Sequence, residues 1–170
     1  MSALRYVLPF LLFLFTIPVQ AQEVFTDMDA LLKTHVRKGL VNYRQIKRNP
    51  TELNRALEAI GSAPEYKGDK EKAFLINAYN IFVIKGIVDK YPTQGPMSID
   101  GFFDKMSFNL RGKQITLNEL EKETVMKQFP DPRLHFVLVC AAKGCPKLAS
   151  FAYTGTELDK LLEQQTHAAI

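Results

Sequence analysis

From about Asp69 to Lys90 the chain reads as one long helix, and between Ala73 and Ile84 it is apolar on nearly every side of the helical wheel. A helix without a solvent face has to be enclosed by the rest of the chain. This segment therefore predicts a buried central helix on which the other elements pack. Tyr91-Pro92 supplies its stop, because the residue before a proline is pushed out of the helical region. Three polar side chains interrupt the apolar surface, Asn77, Tyr79 and Asn80, and each needs a partner if it is enclosed. Asn77 and Asn80, three residues apart, share a face. They serve either to anchor the backbone of neighbouring loops or, with Tyr79, as the hydrogen-bonding floor of a substrate site, one of them an oxyanion donor.

Around this helix the punctuation is regular. Thr26 and Asp29 resemble a capping box opening a helix over Asp27–Lys38, and Gly39 reads as its C-terminal cap. Leu40–Tyr43 is short and extended, Asn49-Pro50 opens a second helix that Gly61 closes, and Thr93–Asp104 is a loop. Phe108–Ile115 reads as a hairpin turning at Arg111-Gly112. Thr116 and Glu119 make a capping box for a helix over Leu117–Gln128, and Thr156 with Asp159 caps a last one. Asp131-Pro132 turns the chain into Leu134–Cys140, which reads as a buried strand. The expected fold is a single α+β domain, a small and mainly antiparallel sheet on the buried helix.

The chain begins with the parts of an export signal: Arg5, an apolar run over Tyr6–Val19, and Val19-Gln20-Ala21 as the cleavage site. At about 14 residues that run is short of the roughly 20 that span a bilayer, and Pro9 and Pro18 interrupt it. Residues 1–21 are thus expected to leave a mature domain starting at Gln22, periplasmic or secreted, with no stable membrane insertion. The net charge of +4 falls by one with Arg5, and the basic residues are interspersed with acids, which gives no nucleic-acid footprint. No cofactor motif is present; a partner would be an envelope polymer or protein.

Three residues stand out as candidates for chemistry. Glu121 falls between Leu117 and Val125 on the apolar side of its helix, where a carboxylate needs a donor. His135 lies in the predicted strand, on one face with Val137 and Val139. Cys140, five residues on, falls on the opposite face and roughly 16 Å away. Cys145 can meet His135 if the turn at Ala141–Gly144 sends the chain back, and Pro146 after it suits the first position of a helical turn. Cys145 as nucleophile, His135 as base and Glu121 as its orienter would suit acyl transfer. The same residues allow a Cys140–Cys145 disulfide, favoured in an oxidising compartment, a thiol redox module, or, less well matched in spacing, a zinc site.

The blocks Ala73-Phe74-Leu75-Ile76-Asn77-Ala78-Tyr79-Asn80, Leu117–Glu121 and His135-Phe136 through Cys140 to Cys145-Pro146 resemble the domain-of-unknown-function 547 family. Gly39-Leu40-Val41-Asn42-Tyr43 is similar to that family's opening motif, and the likeness runs from about His35 to Leu162. The resemblance implies that Glu121, His135 and Cys145 match recurring family positions that look like a cysteine-peptidase or transglutaminase-type triad. Lys122 departs from the family's usual His. The end at Ile170, short of a further strand, is expected to reflect a truncation, and His167 near it to be incidental. The functional expectation is a cysteine-dependent hydrolase or acyltransferase of the envelope; a crosslinked non-catalytic protein and a thiol redox or metal-responsive module are the alternatives.

Overall fold

The computed structural model describes residues 20–142 and 144–169, an α+β unit built around the expected central helix. Of the segment expected to be an export signal, residues 1–19 lie outside the described residues.

Helix α4, Gly68–Asp89, starts with Asp69 and Glu71 in its first turn, where negative charge complements the helix dipole. Every residue from Glu71 to Ile84 is buried. Helix α1 (Gln20–His35) packs on α3 (Thr51–Ser62), and α3 and the short α2 (Tyr43–Arg48) pack on α4. Asn42 caps α2, its Oδ1 accepting from the Gln45 backbone N–H at 3.1 Å.

The first helix differs from the reading of its ends. It begins before Thr26 and stops at His35, and Gly39 is not its cap. Val36–Arg37 (β1) and Leu40–Val41 (β2) instead pair antiparallel across a Lys38-Gly39 turn, with φ of 53° and 81°. Two successive positive φ values define the type I′ hairpin turn. A helix cap and this turn both ask for a left-handed glycine, so the residue alone does not separate them.

The second hairpin forms as expected: β3 (Ser107–Leu110) pairs with β4 (Lys113–Thr116) across Arg111-Gly112, again with two positive φ values. Phe108 stacks on Phe82 of α4 at 4.9 Å. From the hairpin tip Arg111 returns to α4, where its guanidinium donates to both oxygens of buried Glu71 at 2.7 Å and lies 4.2 Å above the Phe74 ring. The Tyr66 backbone N–H also donates to Glu71, at 2.9 Å. The two hairpins form separate two-stranded sheets rather than one.

The Thr116–Glu119 capping box is reciprocal. Thr116 donates from its backbone N–H to Glu119 at 2.8 Å, and the Glu119 N–H donates to the Thr116 hydroxyl at 3.2 Å. These bonds hold the Glu119 carboxyl below its usual range. The helix they open is not regular. Glu119–Val125 is wound as a π-helix before α5 (Met126–Gln128), and Leu120 and Val125 face the core.

The expected strand over Leu134–Cys140 is not formed. Pro132–Phe136 coils into a 3₁₀ turn capped by Asp131, which buries Leu134 and exposes His135. Among the described residues no strand pairs with this run, and the backbone of Val137 and Val139 is hydrogen-bonded to Asn80 of α4 instead. The alternation that put His135 on a face with Val137 and Val139 is lost with the strand. The last helix, α6, spans Leu158–Ala169 and packs on the 3₁₀ turn. Among the described residues, no helix is long and apolar enough to cross a membrane.

At the start of that turn Asp131 accepts from Arg133 and from Lys72, a largely buried lysine of α4. Its bonds to Arg133 first, and then those to Lys72, hold the carboxyl well below the usual carboxylate range. A depressed folded-state pKa stabilises the fold above the unfolded value, near 4, and that stabilisation is lost as pH falls through the folded value. Urea unfolding of the wild type should therefore show stability dropping between pH 5 and pH 3, with Asp131→Asn weaker at pH 7 and flatter over that interval. Parallel pH profiles for the two proteins would remove Asp131 from the account.

Candidate functional site

Both buried asparagines of α4 are engaged at both ends of the amide. Asn77 Nδ2 donates to the Tyr153 carbonyl at 2.8 Å while the Tyr153 N–H donates to Asn77 Oδ1 at 2.9 Å. Asn80 does the same one turn along, donating to the Val137 carbonyl and accepting from the Val139 N–H, both at 2.9 Å. Each amide replaces a missing strand partner for an enclosed stretch of backbone, as the anchoring reading requires. Tyr79, on another side of α4, donates from its hydroxyl to Glu121 at 2.9 Å. Burial first, then the Glu121 charge and this bond, raise the Tyr79 hydroxyl pKa far above its ordinary value. Glu121 is half-buried and reaches inward, and the donor it meets is a tyrosine.

The Asn80 clamp directs the chain into the residues that form the most evident concavity beside α4. A groove of about 630 Å³ runs between the β1–β2 turn and the segment from Val139 to Leu148, within the usual range of small-ligand sites. Its lining includes Val83, Ile84, Val139 and Leu148, with Tyr43 and Asn80 as polar members. Among the described residues Lys38 and Lys147 are its charged members, and no carboxylate lines it. The two lysines belong to one rim: a Cβ placed on Gly39, the residue after Lys38, would stand 2.5 Å from the Lys147 Cβ. Burial pushes the Tyr43 hydroxyl up to about 12, so it is a neutral donor at any physiological pH.

Cys145 is part of this wall, half-buried, and its sulfur is within disulfide-bonding distance of Cys140, the Cα atoms being 6.2 Å apart. Ala141, just past Cys140, has a positive φ of 58°, as does Gly144, just before Cys145, at 95°. The three residues proposed as a triad are distributed differently. Cys145 lines the groove, whereas His135 and Glu121 do not. His135 is exposed on its 3₁₀ turn with no hydrogen bond or ion pair among the described residues, and Glu121 is engaged by Tyr79. Among the described residues no group of three His, Cys, Asp or Glu side chains is arranged to hold a metal ion.

Tyr43, Lys38 and Lys147 were not singled out by the sequence. Nothing in their local pattern marks them, because they meet only when the hairpin and the loop after Cys145 are laid side by side on α4. The available signals were the Lys38-Gly39 pair, a turn dipeptide between two short extended pieces, and the family-like block Gly39–Tyr43.

No curated protein and no solved structure matches the chain. One family model does, described as "Protein of unknown function, DUF547", over residues 64–169, which include α4, the π-helix, the cysteine pair and α6. With that match covering most of its length, the chain belongs to the DUF547 family.

Proposed function

We propose that this is an exported protein of the cell envelope that binds a small ligand in the groove beside α4, with the Cys140–Cys145 crosslink closing one wall. The observation that carries the reading is the position of Cys145, in the lining of the groove and at bonding distance from Cys140. A disulfide in a short turn suits an oxidising compartment, and the sequence of residues 1–21 has the form of the signal that would deliver the chain there. The rigid elements on both sides of the groove, α4 and the I′ hairpin, are the kind of support a preformed site needs.

Alkylation of protein taken from the envelope without reductant, followed by mass spectrometry, tests this directly. We expect a polypeptide starting at Gln22 with no alkylated cysteine, and two alkylated cysteines after reduction. A free Cys145 in the native protein would overturn the crosslinked wall.

One observation favours a second reading, a cysteine-dependent hydrolase or acyltransferase: a reduced Cys145 would stand where a bound ligand lies. In that reading the Cys145 thiolate attacks an acyl carbonyl, and His135 takes the thiol proton and returns it to the leaving group. Glu121 would have to exchange Tyr79 for His135. The same alkylation experiment separates the two. The catalytic reading requires Cys145 to react faster than Cys140 after reduction and to slow in His135→Ala. Equal rates, unmoved by that substitution, would sink it.

A further inference from the structure

We propose that the groove beside α4 takes an anionic amphiphile, a carboxylate carried on an aliphatic chain, with the head at the Lys38–Lys147 rim and the chain along Val83, Ile84, Val139 and Leu148. The inference deepens the binding reading above and rests on it.

Three observations converge on this ligand class. Among the described residues the charge of the groove has one sign, since two lysines and no carboxylate line it. Neither lysine has an ion pair or hydrogen bond among the described residues, although most cations near α4 do: Lys72, Lys85 and Arg111 all meet carboxylates. The Tyr43 hydroxyl, also in the lining, has no partner among the described residues and stays protonated, so it can donate to an oxyanion bound in the groove.

Past the rim the lining side chains are mainly apolar. Asn80 has already given one donor and one acceptor to the backbone of Val137 and Val139. A peptide laid in the groove would bring a polar backbone with few partners, at a cost for each group left unpaired. An aliphatic chain brings none. Leu40, 76 % exposed at the rim, extends the apolar surface past the turn, where a chain longer than the groove would emerge.

The test uses the mature chain, oxidised, with three probes of equal tail length: decanoate, decanol and decyltrimethylammonium, each below its micellar concentration. Binding is read by calorimetry and by methyl shifts of Val83, Ile84 and Leu148. We expect decanoate to bind most tightly and to shift those methyls. In the double variant Lys38→Gln, Lys147→Gln, decanoate should weaken by about tenfold while decanol is unchanged, the effect of two exposed charge contacts. Both lysines are exposed, so an unaltered melting temperature should accompany the loss. Equal affinity for decanoate and decyltrimethylammonium would overturn the anionic assignment and leave groove binding standing. If a short peptide with a free C-terminus shifts the same methyls while decanoate does not, the ligand class is wrong. If none of the probes moves the groove methyls, the binding reading falls with it.

Discussion

Asn80→Ala should lower the free energy of unfolding by about 3–5 kcal/mol, measured by urea titration, and should be among the most damaging single substitutions in the chain. Asn80 is 3 % exposed and holds the Val137 carbonyl and the Val139 N–H at once. Truncation orphans both backbone groups, each at roughly 1–3 kcal/mol when water cannot replace the partner, and leaves a small void beside Ile84. Asn80→Asp separates donor from acceptor. The carboxylate still accepts from Val139 but sets a negative charge against the Val137 carbonyl, so the loss should be at least as large. Because Asn80 also lines the groove, both variants should loosen the wall that carries Cys145. A loss below about 1 kcal/mol would mean that water reaches this backbone and that the amide is not its main partner.

Glu71→Ala should cost a similar amount, about 3–5 kcal/mol, for a different reason. Glu71 is 6 % exposed and receives both arms of the Arg111 guanidinium and the Tyr66 N–H. Without it a guanidinium lying against Phe74 has no counter-charge, and Arg111 Nε already lacks a partner. The hairpin tip is then free to swing out toward water. Replacing both partners, as in Glu71→Met with Arg111→Met, removes the charges together and should restore much of the loss, because desolvating an ion pair offsets most of its attraction. A double-mutant cycle giving a coupling near zero would show that the two side chains do not stabilise one another.

These two sites also mark the boundary of what pattern reading reaches. The central helix, both ends of the β3–β4 turn and the Thr116–Glu119 box were legible because each is decided within a few residues: by an apolar surface on all sides, by a left-handed Arg-Gly pair, by a hydroxyl three residues from a carboxylate. The need of Asn77 and Asn80 for partners was legible too. Their partners, Tyr153, Val137 and Val139, lie far along the chain, and no local rule selects them.

The run Leu134–Cys140 shows the opposite case. Its composition suits a strand, but a strand exists only if another extended segment supplies the ladder, and here the nearest donor and acceptor are one side chain of α4. The face on which His135 should have lain disappeared with the ladder. The helix containing Glu121 is legible as a helix, yet its π winding sets which donor the carboxylate meets.

What the residues alone determined is therefore the enclosed helix, the Arg111-Gly112 hairpin turn and the Thr116–Glu119 capping box, all set by short-range sterics and by the cost of leaving apolar surface in water. The tertiary structure decided which polar groups meet. It joined Glu121 to Tyr79, set Cys145 against Cys140, and brought the Lys38-Gly39 turn against Lys147 at one groove. Those pairings depend on how distant segments dock on α4, and docking follows from the sum of many contacts rather than from any residue in the pair.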